Sequence, residues 1–169
     1  MRLDESPHDM ASLPQLLEED IKQLDAALND LLVKSEASAG LIIDKGGFLI
    51  TQQGDFRSFD TTSLAALAAA SYAATQYIAG IVSETSFNFV YQQGQNFSLL
   101  VQNVDEHCLL LVIFKANASV GAVKYFATAI ISQVAEQLRI ARERDPSASL
   151  DLSLLNIADP SALFQKKNH

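Results

Sequence analysis

The segment "TTSLAALAAASYAATQYIAG", residues 61–80, has the composition of a helix but carries no charged side chain. Alanine has the highest helix propensity of all residues, and Asp60 stands where a helix cap is expected. The uncharged run extends from Thr61 to Ser83. Because a surface helix normally keeps a charged face toward water, we expect this one to be covered by another chain. The alternative is that exposed alanines form a good helix and need no partner.

A helical wheel divides this segment into a face with bulkier side chains and a face with smaller ones. The bulkier side is expected to lie on a sheet and contains Leu64, Leu67, Ser71, Ala74, Thr75, Ile78 and Val82. The opposite strip, expected to face outward, contains Thr62, Ala69, Ala73, Gln76 and Gly80, with Tyr72 and Tyr77 on the two flanks. Small outward side chains would let another backbone approach closely.

Periodicity on both sides of this helix predicts an α+β layered domain. The predicted order is helix 12–35, strands 40–44 and 47–53, helix 61–83, strands 86–94, 97–104 and 107–115, and helix 119–144. Lys45-Gly46 marks a tight hairpin, and Ser12 with Pro14 marks the first helix start. The order α-β-β-α-β-β-β-α predicts a five-stranded antiparallel sheet with helices on both faces.

The strand after the central helix is aromatic and uncharged. In "SFNFVYQQG", residues 86–94, alternation places Phe87, Phe89 and Tyr91 on one face. An open edge of this composition, without proline, favours sheet extension between chains. We therefore expect a homodimer whose interface includes this strand and the two tyrosines of the central helix. An interior strand fits the same pattern.

Composition narrows the classes of function. The net charge is −8 and the pI is about 4.7, so an acidic surface would repel nucleic acid. Cys108, the one cysteine, lies in an apolar run and indicates a reducing compartment. Without a signal peptide or a strongly apolar span, we expect a cytoplasmic protein that does not insert into membranes. We expect three parts: an arm, residues 1–11; a domain, residues 12–144; and a linker with an apolar tail, residues 145–169.

Nothing in the sequence points to an active site. The chain lacks a phosphate-binding G-x-x-x-x-G-K-[ST] motif, and no carboxylate spacing suits a metal. His107 and Cys108 are neighbours on a predicted strand, so they point to opposite faces and cannot act as a nucleophile and base. We therefore predict neither catalytic residues nor a metal or cofactor.

Three stretches carry a family resemblance. They are "GLIIDKGGFLI", "FDTTSLAALAAASYAATQYIAGIVSE" and "HCLLLVIFKANASVGAVKYFA", within residues 16–140. Their amino-acid sequences and their order resemble the Roadblock/dynein light chain family, and in particular its bacterial MglB-like branch. The resemblance implies that the central helix covers one sheet face and the outer helices the other. It also implies homodimers joined through paired central helices and third strands.

The resemblance also implies a function. Dimers of this branch bind a small Ras-like GTPase, MglA-like in kind, and stimulate its GTP hydrolysis in cell polarity. On the central helix, the implied GTPase-binding positions are Thr62, Ala66, Ala69, Ala73 and Gln76. The family favours remodelling of the GTPase switch loops without a supplied arginine. Arg57, in the loop before the helix, is the alternative arginine finger.

Two further functions and a tail motif stay open. With only Lys124 at the start of the last helix, the chain also fits a non-catalytic Roadblock adaptor. A small-molecule sensor module is the third class. The tail "LDLSLLNIADPSALF" is either folded back on its own domain or disordered, or else it is a short motif that reaches a partner. The residues of that candidate motif are Leu155, Ile157, Leu163 and Phe164.

Overall fold

The computed structural model of the protein describes residues 15–144, which contain three helices and five strands. Their bounds are α1 Glu18–Ser35, β1 Ala39–Asp44, β2 Leu49–Gly54, α2 Thr61–Ile81, β3 Phe89–Gln93, β4 Phe97–Asn103, β5 Cys108–Lys115 and α3 Val120–Glu143. The predicted order of elements is confirmed. The predicted terminal arm and tail lie outside the described residues.

The five strands form one antiparallel sheet in the order β2-β1-β5-β4-β3. The two central strands, β1 and β5, are buried along almost their whole length. They supply residues to both faces because successive side chains alternate across a strand. On β1, for example, Ile42 packs toward one helical layer, whereas Leu41 and Ile43 pack toward the other.

The helices cover the two faces unequally. Helices α1 and α3 pack against each other and against one face, with Leu28, Phe114 and Val134 in that core. Helix α2 alone covers the opposite face and lies mainly over β1 and β2. This is the arrangement that the family resemblance implies, and it is confirmed.

Helix α1 begins six residues later than the predicted Ser12. Residues 15–17 are not helical, and the helix starts at Glu18. The Asp20 carboxylate accepts the backbone N–H of Leu17 at 2.7 Å, so it caps the chain at this point. The prediction from Ser12 and Pro14 is therefore wrong, because the capping group lies inside the predicted helix.

The β1–β2 hairpin turns through Lys45, Gly46 and Gly47. The Gly47 N–H donates to the Asp44 carbonyl at 2.9 Å, and Gly47 has φ of +96°. A Cβ at Gly47 would lie 2.9 Å from the Ala66 Cα of α2, which is closer than a side chain allows. The glycine thus permits both the turn and the close approach of α2.

Helix α2 is rotated by roughly a third of a turn from the predicted orientation. The side chains buried on the sheet are Ala65, Ala68, Ala69, Tyr72 and Ala79. Leu67, Ile78 and Val82, predicted to face the sheet, are exposed instead. That prediction is wrong because small side chains bring the helix close to a sheet already filled by leucine and isoleucine.

Candidate protein-docking surface

The outer face of α2 is uncharged and carries large apolar side chains. Leu67 is 69% exposed and Ile81 is 82% exposed. We call the five exposed large residues at this helix the α2 outer face: Leu67, Tyr77, Ile78, Ile81 and Val82. An exposed apolar group of this size on one helix is typical of a protein contact surface. The expected alanine-paved surface is therefore bulkier than the sequence wheel indicates.

The predicted GTPase-binding residues are divided between the surface and the interior. Thr62, Ala66 and Ala73 lie on the flank of α2 that includes the contact with Gly47, and all three are exposed. Ala69 is only 4% exposed, so its predicted outward position is wrong. It faces the sheet because it belongs to the stripe of small residues through which α2 packs on the sheet.

Gln76 is also turned inward, where it holds the chain that enters β3. Its side-chain amide donates to the Phe87 carbonyl and accepts the Phe87 N–H, both at 3.2 Å. The Tyr72 hydroxyl donates to the same carbonyl at 3.4 Å. Tyr72 is buried, so the prediction of a surface flank for it is wrong. Both residues therefore anchor the segment that precedes β3 to the C-terminal half of α2.

Strand β3 starts at Phe89, three residues later than the predicted start at Ser86. Phe87 lies before the strand because Gln76 occupies both of its backbone hydrogen-bonding groups. Phe89 and Tyr91 do share a face: Phe89 packs on the α1–α3 core, and Tyr91 stacks on Phe114 at 6.2 Å. That part of the prediction is confirmed.

Strand β3 is an edge strand whose outer side has no neighbour among residues 15–144. It pairs only with β4, and Tyr91, Gln92 and Gln93 are exposed. On the α2 face of the sheet, Val90 of β3 and Leu99 of β4 are only partly buried. The open edge and this uncovered apolar area lie on the same part of the sheet. They provide a surface on which a second sheet could continue.

Arg57 is held in the loop before α2. Its guanidinium donates two hydrogen bonds to the Asp55 carboxylate, at 2.7 Å and 2.9 Å. The guanidinium lowers the pKa of Asp55 to about 2. Arg57 is exposed, but it would have to leave this carboxylate before it could reach a phosphate.

Cys108 is buried and paired with charges rather than poised as a nucleophile. Burial, aided by the negative charge of Asp105, raises the pKa of its thiol to about 11. The Arg142 guanidinium lies 3.3 Å from its sulfur and donates to Asp105 at 2.7 Å. Among residues 15–144, no three His, Cys, Asp or Glu side chains are grouped so that they could hold a metal ion.

Helix α2 is long and apolar enough to cross a membrane by length and composition alone. No other helix within the described range meets that test. One side of α2 is nevertheless packed on the sheet, which is the setting of a layered domain. The expectation that this segment does not insert stays a prediction.

The Roadblock/LC7 domain family matches residues 24–114, and the chain belongs to this family. Among solved structures, Myxococcus xanthus MglB is 27% identical with a TM-score of 0.70, covering 76% of this chain and 97% of that one. The gliding protein MglB of Thermus thermophilus is 27% identical with a TM-score of 0.69, covering 75% and 96%. The chain is therefore similar to nearly the whole of each MglB over about three quarters of its own length. No curated protein matches it significantly.

A third solved structure, an MglB in a tetrameric arrangement, is 27% identical with a TM-score of 0.70. It covers 75% of this chain and 95% of the other. These comparisons agree with the MglB-like branch that the sequence resemblance indicates.

Proposed function

We propose that the protein is a homodimeric cytoplasmic regulator that binds a small Ras-like GTPase and stimulates its GTP hydrolysis. In this proposal it acts in cell polarity or motility, as the resemblance to the MglB-like branch implies. The observation that carries the proposal is the uncharged, apolar outer face of α2 on a Roadblock/LC7 domain. Such a face needs a protein partner to remove it from water.

The dimer in this proposal forms through the open edge of the sheet. Strand β3 of one copy pairs with β3 of the other, and part of the two α2 outer faces is buried at the same seam. The half-buried Val90 and Leu99 support this geometry because they lie on the α2 face where that helix gives little cover. Burying Ile78 and Val82 at the seam contributes roughly 1.5–3 kcal/mol per fully covered side chain.

The GTPase would contact the small residues on the flank of α2, namely Thr62, Ala66 and Ala73. A surface of methyl groups can shape a flexible loop, but it offers no cation to the developing charge on a phosphate. The proposed mechanism is therefore differential affinity for the switch-loop conformation in which the GTPase's own residues are placed for hydrolysis. The Asp55 partner of Arg57 supports this route over an arginine finger.

The second candidate is a non-catalytic adaptor that docks a GTPase, or another Roadblock protein, without accelerating hydrolysis. The observation that favours it is the low charge of the surfaces beside β3. Lys124 is the one basic residue in the first two turns of α3, and its ammonium lies over the Phe89 ring at 4.6 Å. The candidate tail motif, Leu155, Ile157, Leu163 and Phe164, lies outside the described residues and stays a prediction.

Single-turnover GTP hydrolysis separates the two candidates. A Ras-like GTPase of the MglA-like kind would be loaded with GTP, and its hydrolysis would be followed with and without the protein. We expect acceleration by wild type and none by Ala73→Arg, with Val33→Lys on exposed α1 as the matched surface control. Binding without acceleration would favour the adaptor, and neither binding nor acceleration would contradict both candidates.

A further inference from the structure

An apolar groove lies on the opposite face of the sheet from α2. It runs between the first half of α3 and β3, and its volume is about 630 Å³. We call it the α3–β3 groove, and its lining residues are Phe89, Gly121, Lys124, Tyr125, Thr128 and Ala129. This size falls within the range of clefts that enclose a small ligand or several side chains.

A buried acceptor lies next to Thr128, one of the residues that line the groove. Gln102 on β4 is the register partner of Phe89, and its amide nitrogen donates to the Thr128 hydroxyl at 3.2 Å. Gln102 is only 6% exposed, and its Oε1 accepts no hydrogen bond from residues 15–144. A buried acceptor of this kind costs free energy unless a donor reaches it. The Oε1 atom is itself closed to solvent, so the features that the groove offers to an occupant are its aromatic side chains and Lys124.

We propose that the α3–β3 groove is the docking site for the C-terminal segment of the same chain, residues 150–164. This segment, "LDLSLLNIADPSALF", combines leucine, isoleucine and phenylalanine with Asp151 and Asp159, and it contains no basic residue. The apolar side chains match Phe89 and Tyr125, and the aspartates match Lys124. This inference goes beyond GTPase regulation and does not depend on it.

The length of the chain is sufficient for this docking. Helix α3 contains 24 residues, so its last residue lies about 35 Å from the Gly121 end of the groove. Residues 145–169 could span about 80 Å if fully extended, more than twice that distance. The chain also leaves α3 at a fixed point because Arg144 is bonded to Asp20. The segment can therefore return along α3 without disturbing the domain.

Charge favours this groove over the α2 outer face. The net charge of −8 disfavours an acidic segment on most of the surface. The α2 helix has no basic residue for an aspartate and already binds its own polar neighbour through Gln76. The α3–β3 groove combines Lys124 with the aromatic side chains of Phe89 and Tyr125.

A paramagnetic label on the full-length protein tests the docking. A nitroxide would be attached to Ser161→Cys, and Cys108, 1% exposed, is protected from the reagent in the folded chain. We expect the amide NMR signals of Gly121, Lys124 and Ala129 to lose most of their intensity. We expect the signals of the α2 outer face to be unchanged.

Two exposed alanines supply matched variants for this experiment. Ala129→Arg fills the groove and should restore the lost signals, whereas Ala73→Arg on the opposite face should leave the broadening intact. Lys124→Glu repeats the test without added bulk. Signals of α2 broadened in place of the groove, or no broadening at all, would overturn the proposal. Broadening seen only between differently labelled copies in a mixture would assign the groove to the partner copy's tail and equally overturn it.

Discussion

Replacing Asp20 with asparagine should destabilise the domain because Asp20 joins the beginning of α1 to the end of α3. Its carboxylate is 1% exposed and accepts four hydrogen bonds of 2.7–2.9 Å: two from Arg144, one from Gln137 and one from the Leu17 backbone. The Arg144 guanidinium, with help from the other donors and against burial, lowers the pKa of Asp20 from 3.8 to about 2.

The size of the effect follows from that pKa. A lowering of this size corresponds to about 2 kcal/mol favouring the folded state once the carboxylate is ionised. Removing one partner of a fully buried pair costs about 3–5 kcal/mol, but Arg144 is 26% exposed and can regain water. We therefore expect Asp20→Asn to lower the free energy of unfolding by about 2–3 kcal/mol at about pH 7.

Urea unfolding at fixed protein concentration measures this loss as a shift in midpoint with an unchanged slope. Asp30→Asn on the same helix is the matched control. Its partner Lys34 is half exposed, so its loss should cost less than about 1 kcal/mol. Equal effects of the two substitutions would refute the role assigned to Asp20.

The pH dependence supplies an independent check. Because the folded-state pKa of Asp20 is lowered, its contribution is complete above the unfolded value of 3.8 and disappears as pH falls through about 2. The stability difference between wild type and Asp20→Asn should therefore be constant above about pH 5 and narrow between about pH 4 and about pH 2. A difference that stays constant throughout would contradict the pKa.

Three further outcomes are expected. Ala73→Arg should abolish binding of the Ras-like GTPase in a titration while the circular dichroism spectrum is unchanged; wild-type affinity would move the docking surface elsewhere. Arg57→Ala should keep stimulated hydrolysis within a few-fold of wild type, whereas a loss of ~10³ in single-turnover rate would establish an arginine finger. Ile78→Lys should shift the mass in light scattering to that of a monomer, and Val33→Lys, exposed on α1, should not; a dimeric Ile78→Lys protein would exclude the α2 outer face from the seam.

The order of elements could be predicted because each depends on local signals. The continuous apolar runs of β1 and β5, the glycines of the hairpin and Asp60 as the cap of α2 are all readable along the chain. Asp60 does accept the Ser63 N–H at 3.2 Å. The edge position of β3 also agrees with its composition, because an uncharged aromatic edge strand can pair with a strand of another chain. These features need no knowledge of distant contacts.

The orientation of α2 could not be predicted from residue size. The wheel places the largest side chains inward, but β1 and β5 already fill that side, so the helix presents its alanines to the sheet. The signal that was missed is the run Ala65, Ala69, Tyr72, Gln76 and Ala79, whose alternating steps of four and three residues mark one face. If this run is taken as the face packed on the sheet, Leu67 and Ile78 are placed outward.

Contacts between residues far apart in the sequence could not be predicted either. Asp20 and Arg144 are separated by 124 positions, and Gln102 and Thr128 by 26. No pattern within one element pairs them. The hydrogen bonds between Gln76 and the Phe87 backbone are likewise not predictable from one element, because they depend on how the loop after α2 returns to the sheet.

The mass of the protein in solution tests most directly whether the α2 outer face and the β3 edge contact another chain. Light scattering at micromolar concentration should give twice the chain mass of 18.4 kDa. A single-chain mass at every concentration, with no larger species on adding the Ras-like GTPase, would leave both surfaces in water and contradict the account.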